Sequence, residues 1–262
     1  MNDVLIVPTE FESEGEMIRG NFVVPSKGCI SKGICKFHGL PGSPDQVRGI
    51  ASDLARLGFT VLTFDFRGFR KSEGIFSLRG EIEDARNAIT HLLDSKYTTE
   101  SRVLVYGASF GGAIAVCSAA RDERIFGVCL RAPLFDMEQY IQNPDLIPAI
   151  FRYMEHEEYG VIHGIHDERI RDKMIQELMS DAPKFNPMKD IKRIAPRPLL
   201  ITTGTDDQLI DIEGVRNLYR NAGEPKELRI IEGGDHVLST QKAKNETRDI
   251  VTKWFSQFRL ME

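Results

Sequence analysis

Cysteine is scarce in this chain: Cys29, Cys35, Cys117 and Cys129 are scattered, and no CxxC pair exists. That spacing excludes a disulfide framework and a thiolate zinc site. Three of the four lie in apolar strand or helix contexts, where cysteine behaves as a small core hydrophobe. No apolar run approaches the ~20 residues that a bilayer-spanning helix needs. The first residues, Met1 to Pro8, lack the basic start and apolar core of a signal peptide. No long basic run is present, and with a net charge of −5 the electrostatic footprint of a nucleic-acid or anionic-membrane binder is missing. Repeats, low-complexity tracts and flexible linkers are likewise absent. These absences point to a reduced, cytoplasmic protein with neither nucleic acid nor membrane as partner. Oligomeric state is not legible, and a homo-oligomer is compatible with the composition.

What is present is a globular composition, 41% hydrophobic and 28% charged over 262 residues. Two β-like runs, Val4–Phe11 and Met17–Val24, flank a polar turn and predict an N-terminal hairpin. From Gly33 onward short apolar strands alternate with amphipathic helices. The strands are expected at Ile34–Phe37, Thr60–Phe64, Arg102–Tyr106, Ile125–Leu130, Pro198–Thr202 and Glu227–Ile231. Helices are expected from Ser43-Pro44-Asp45-Gln46 to Gly58, over Leu78–Leu93, over Asp167–Met179 and over Thr240–Phe258. Alternation of this kind predicts an α/β fold, a mostly parallel twisted sheet with helices on both faces. One stretch breaks the rhythm. Residues 133–196, which include the acidic segment Tyr153–Tyr159, exceed what a simple crossover requires and read as a small cap inserted in a single domain, 1–262.

Gly107-Ala108-Ser109-Phe110-Gly111 stands between a strand and the small-residue helix Gly112–Ala120. A G-x-S-x-G match is weak alone, but strand, sharp turn and helix are the context that a nucleophile elbow requires. Such a turn lifts the Ser109 hydroxyl above the sheet at a helix N-terminus, whose dipole favours developing negative charge. A serine nucleophile then needs an acid and a base further along the chain. Asp206 and Asp207 follow the strand near Pro198–Thr202, and His236 follows the last strand in the loop Glu232-Gly233-Gly234-Asp235-His236. The remaining histidines carry less. His91 reads as a packing or surface residue, and the pair His163 and His166 lacks the neighbours of a metal site. No P-loop or dinucleotide fingerprint is present, so no cofactor and no metal are expected.

With these motifs the chain resembles the α/β-hydrolase superfamily, in particular its small-capped carboxylesterases of the cinnamoyl and feruloyl esterase type. His38-Gly39-Leu40-Pro41-Gly42 is similar to the family's H-G-x-x-G loop, which implies the backbone N–H groups of Leu40 and Phe110 as oxyanion donors. His38 is expected to support that loop by hydrogen bonding. Gly204-Thr205-Asp206-Asp207-Gln208-Leu209-Ile210 resembles G-x-x-D-x-x-V/I, which selects Asp207 over Asp206 as the acid; Asp211 stands where the pattern has proline. Asp65-Phe66-Arg67-Gly68-Phe69-Arg70-Lys71-Ser72-Glu73-Gly74 is similar to D-x-R-G-x-G-x-S-x-G, but Arg70-Lys71 depart from the usual small residues. Asp65 and Arg67 are expected to form a structural ion pair. The resemblance implies a Ser109-His236-Asp207 serine esterase acting on a small-molecule ester. Phe135, Tyr140, Ile147, Phe151 and Val237 are the candidates for lining its substrate pocket. A prolyl-oligopeptidase-type peptidase, a thioesterase and a non-hydrolytic binding protein of the same fold are the alternatives.

Overall fold

The computed structural model describes residues 4–26, 31–43, 45–143, 152, 156 and 160–259. The N-terminal hairpin forms as β1 (Val4–Ser13) and β2 (Glu16–Pro25), paired antiparallel in register from Val4 against Pro25 to Ser13 against Glu16. Six strands follow: β3 (Gly33–Phe37), β4 (Thr60–Phe64), β5 (Val103–Ala108), β6 (Ile125–Arg131), β7 (Leu199–Gly204) and β8 (Lys226–Ile231). The sheet order is β1-β2-β4-β3-β5-β6-β7-β8. β2 meets β4 antiparallel, and the six strands β3 to β8 run parallel to one another. The central strands are buried on both sides, β4 throughout its length, as strands covered by helices on both faces must be.

Helices α1 (Ile50–Arg56), α2 (Leu78–Leu93) and α3 (Phe110–Ala119) connect the first four parallel strands, β3 to β6. Then come α4 (Met137–Gln142), α5 (Glu168–Asp181), the short α6 (Pro187–Asp190), α7 (Ile212–Asn221) and α8 (Gln241–Ser256). Two apolar clusters pack against the sheet. One holds Ile82 and Ile89 of α2 with Ala113 and Ile114 of α3, and extends to Val215 and Leu218 of α7. The other joins Leu54 of α1 to Val251, Trp254 and Phe255 of α8. Residues 133–196 occupy the connection from β6 to β7; there α5 starts at the N-cap Asp167, whose carboxylate accepts from the N–H groups of Arg169 and Ile170.

Two expectations are corrected. The first crossover helix starts at Ile50, after Gly49 at φ 63°, and not near Ser43. Ser43 instead closes a local turn: its hydroxyl accepts from the Asp45 N–H at 3.1 Å, and its carbonyl accepts from the Gln46 amide at 2.6 Å. The second correction concerns Arg67, whose partner is Asp84 of α2 rather than Asp65. The Asp84 carboxylate accepts from the Arg67 backbone N–H at 2.9 Å, from Nη2 at 2.7 Å and from Nε at 3.1 Å. Asp84 is fully buried, and removing one partner of a buried pair strands the other charge. Asp84→Ala should therefore lower unfolding stability by about 3–5 kcal/mol, measurable by urea titration. The paired change of Asp84 and Arg67 to leucine and methionine should cost less than the single one.

Glu81, one turn before Asp84, is 1% exposed, and among the described residues neither of its carboxylate oxygens has a hydrogen-bond partner. Burial, reinforced by the nearby Asp84 charge, pushes this carboxyl well above the usual range, against the pull of Arg67. The folded chain therefore holds this proton more tightly than the unfolded chain, so stability is lost as pH rises through the folded value. Glu81→Met should remove that loss. We expect a gain of about 1–3 kcal/mol at pH 8 and a smaller gain at pH 5. An equal gain at both pH values would contradict a titrating Glu81.

Candidate active site

The end of β5 turns into α3 through Ser109, which sits at φ 55° and ψ −122°, a backbone region that side chains rarely occupy. Close packing imposes the turn. A Cβ at Gly107 would lie 2.3 Å from the Gly111 carbonyl oxygen, and one at Gly111 would lie 2.3 Å from the His38 carbonyl oxygen. The strand, the helix and the β3 loop therefore meet only if both positions are glycine. The Ser109 N–H donates to Arg131 O at 2.9 Å, and Ser109 O accepts from the N–H groups of Gly112 and Leu134. The backbone is thus held on three sides while the hydroxyl stands above the sheet edge.

His236 reaches that hydroxyl from the loop after β8. Its Nε2 accepts from Ser109 Oγ at 3.0 Å, and its Nδ1 donates to Asp207 Oδ2 at 2.8 Å, the tautomer being the one these partners require. Asp207 stands in the loop after β7, with its side chain 1% exposed. Burial opposes its charge, but the hydrogen bond from His236 and the N–H groups of Ile210 and Leu209 outweigh it and hold the carboxyl below the usual range. Asp206 points elsewhere and is solvent-exposed, its carboxylate accepting from the Thr205 hydroxyl. Asp211, at the position where the family pattern has proline, caps α7 by accepting from the N–H groups of Glu213 and Gly214.

The loop after β3 lies against the serine: a Cβ on Gly39 would be 3.0 Å from Ser109 Cβ. His38 is 4% exposed, and its Nε2 accepts from the Phe66 N–H at 3.0 Å while Nδ1 donates to Gly39 O at 2.7 Å. Burial pushes the ring down to about 3, so at neutral pH it is an uncharged strut that offers both donor and acceptor. Leu40 follows directly. The Phe110 N–H opens α3, where no preceding helical carbonyl can take it. Ser109, the Leu40 loop, Asp207 and His236 thus converge at the C-terminal ends of β5, β3, β7 and β8, the edge at which open parallel sheets bind ligands.

The packing around these loops is apolar and aromatic, with Phe69, Phe76, Phe110 and Phe135 all buried in the core. Phe110 packs on Phe76 with ring centroids 5.8 Å apart, and Phe76 on Phe69 at 6.1 Å. Phe135 is buried against Gly214 and makes an edge contact with Tyr140 at 5.5 Å. The Tyr140 hydroxyl donates to Leu209 O at 3.0 Å, two residues from Asp207. Val237 is 72% exposed beside His236. Ile147 and Phe151 lie outside the described residues. Among the described residues, no group of three or more His, Cys, Asp or Glu side chains is placed to hold a metal. Nor is any described helix long and apolar enough to cross a membrane.

Two supporting residues escaped the sequence reading. Arg131, at the end of β6, donates from Nη1 to the His236 carbonyl and so anchors the histidine loop; a cationic residue closing an apolar strand was its only signal. Arg70 reaches the Leu40 loop, and its departure from the family pattern was the signal there. His91, by contrast, packs as expected, stacked on Phe11 and Phe22 at 5.2 and 5.3 Å.

The uncharacterized protein YfhR of Escherichia coli (strain K12) is 28% identical over 229 residues, covering 86% of this chain and 70% of its own length. A hypothetical protein from Pseudomonas aeruginosa superposes with a TM-score of 0.76 at 20% identity, over 97% of this chain and 94% of that one. The esterase domain of a Rhodothermus marinus protein superposes with a TM-score of 0.68 at 22% identity, over 97% and 98%. The prolyl oligopeptidase family model matches residues 46–259, from the approach to α1 to the end of α8. With the strand order, the elbow and that match in agreement, the chain is an α/β hydrolase and belongs to the prolyl oligopeptidase family.

Proposed function

We propose that the protein is a serine hydrolase that cleaves carboxylic esters of small to medium size through an acyl-enzyme. The observation that carries this reading is the continuous hydrogen-bonded line from Ser109 Oγ through His236 to Asp207, at 3.0 and 2.8 Å. Neutral His236 takes the Ser109 proton as the hydroxyl oxygen attacks the ester carbonyl carbon. Asp207 orients the ring and stabilises its cationic form without itself being protonated. The carbonyl oxygen becomes an oxyanion held by the N–H groups of Leu40 and Phe110; such preorganised donors are worth roughly 3 kcal/mol each in the transition state. Collapse expels the alcohol with the proton from His236. Water deprotonated by His236 then attacks the acyl carbon, the acid departs, and Ser109 regains its proton.

The motif resemblance to the cinnamoyl and feruloyl esterase type is what supports an apolar or aromatic acyl part; Phe69, Phe76 and Phe110 are packed in the core. Residues 133–196 would act as a cap over a single catalytic domain, with Tyr140 and Val237 near the mouth. Buried, unpaired Cys35, Cys117 and Cys129 suit a reducing compartment. The family match favours one competing reading, peptide hydrolysis on the same atoms. A panel of p-nitrophenyl esters, aryl esters, acyl thioesters and aminoacyl anilides separates them. Esters should be the best substrates by kcat/KM; anilides turning over faster than every ester would instead assign the site to peptides.

A further inference from the structure

Arg70 stands where the resembling loop has a small residue, and it adopts φ 46°. Its guanidinium spans two consecutive carbonyls of the loop that carries Leu40: Nη1 donates to Pro41 O at 2.7 Å and Nη2 to Gly42 O at 2.9 Å. The side chain is 14% exposed, with Asp65 Oδ1 3.9 Å from Nη1 as its counter-charge. A charged planar fork on two neutral acceptors is stronger and more directional than a neutral hydrogen bond. The fork fixes the peptide planes that begin one residue after Leu40, in a loop whose Gly39 is against Ser109.

The Arg70 backbone is held in turn by the 133–196 segment. Its N–H donates to Val161 O at 3.0 Å, and its carbonyl accepts from His163 Nε2 at 3.0 Å. The neighbouring Phe69 forms an isolated antiparallel bridge with Ile162, and the His163 N–H donates to Gly68 O at 2.8 Å. One residue therefore touches the oxyanion loop with its side chain and the inserted segment with its main chain.

We propose that Arg70 is a positioning residue that holds the Leu40 N–H at the oxyanion and couples that donor to residues 161–163 of the insertion. This rests on the acyl-transfer reading above. Loss of the fork leaves substrate contacts in place but lets the loop wander, so the cost falls on the transition state and not on the ground state.

The test compares Arg70→Gly, which suits the positive φ, with Arg70→Lys, which keeps the charge but cannot span both carbonyls. Wild type is measured first: if it neither labels with a fluorophosphonate nor hydrolyses any ester, the acyl-transfer reading fails and this proposal with it. Given an active wild type, Arg70→Gly should lower kcat on the order of 10–100-fold, with KM changed less than about twofold. The inhibition constant of a trifluoromethyl ketone, whose adduct carries the oxyanion, should rise by the same factor. Arg70→Lys should fall between the two, and His163→Leu should lower kcat in wild type but not in the Arg70→Gly background. Unchanged kcat in an Arg70→Gly that folds would overturn the proposal while leaving the acyl-transfer reading intact. So would an effect confined to KM. Should Arg70→Gly fail to fold, full activity in Arg70→Lys would overturn it equally.

Discussion

Ser109→Gly and Ser109→Ala should each lose at least about 10⁴-fold in kcat for ester hydrolysis, yet the glycine variant should be the more stable of the two. The first half follows from removing the hydroxyl that His236 Nε2 faces. The second follows from the backbone. At φ 55° and ψ −122° a side chain costs about 1–3 kcal/mol in strain, which alanine keeps and glycine releases. Both variants lose the Ser109–His236 hydrogen bond, so that contribution cancels in the comparison. Glycine is penalised by about 0.5–1 kcal/mol for its looser unfolded chain, which leaves a net advantage of about 1 kcal/mol over alanine. At an ordinary position the sign is the reverse. Urea unfolding of both variants measures it, and a more stable alanine variant would show that the elbow stores no strain.

Asp207→Asn should lower kcat about 10⁴-fold, while Asp206→Asn should leave it within about threefold. The Asp207 carboxylate accepts from His236 Nδ1 and from the N–H groups of Leu209 and Ile210. An asparagine cannot serve all three donors: whichever way its amide turns, an N–H meets either the ring or the backbone. Turned toward the ring, it favours the tautomer with the proton on Nε2, which cannot take the proton of Ser109. Asp206 sits one residue away but on the outer side of the turn, bonded to Thr205. Linkage adds a second readout. The hydrogen bonds from His236, Ile210 and Leu209 hold the folded Asp207 carboxyl below its unfolded value, burial notwithstanding. Its charge therefore stabilises the fold above the unfolded value of about 3.9. That stability is lost as pH falls through the lower folded value, so the gap between wild type and Asp207→Asn should close in acid.

The site was more legible than its supports. Ser109 and His236 stand out as candidates because each follows a strand in a short loop of restricted composition, and strand ends are where parallel sheets expose side chains; the choice of Asp207 over Asp206 comes only from the resemblance to G-x-x-D-x-x-V/I. The central strands were legible for a related reason: short, doubly buried strands are continuous apolar runs. Non-local pairings were not. Arg67 stands two residues from Asp65 in sequence but meets Asp84, because the chain turns at Arg67 and α2 brings Asp84 over the loop. The α7 helix does carry an apolar face, with Val215 and Leu218 buried in the core, but in ten residues that face amounts to three apolar positions, Ile212, Val215 and Leu218, amid charged neighbours, and the capping role of Asp211 shows only once the turn exists. Arg70 departs visibly from the family pattern, but its two carbonyl partners belong to a loop 28 and 29 residues away, which no local pattern encodes.

The central claim is that Ser109 is the activated nucleophile, and covalent capture tests it most directly. Wild-type protein treated with a fluorophosphonate should form one stoichiometric adduct, mapped by peptide mass analysis to Ser109. Labelling should be slowed strongly in Asp207→Asn and absent in Ser109→Ala. A folded wild-type protein that remains unlabelled, or an adduct that maps to another residue, would contradict the account.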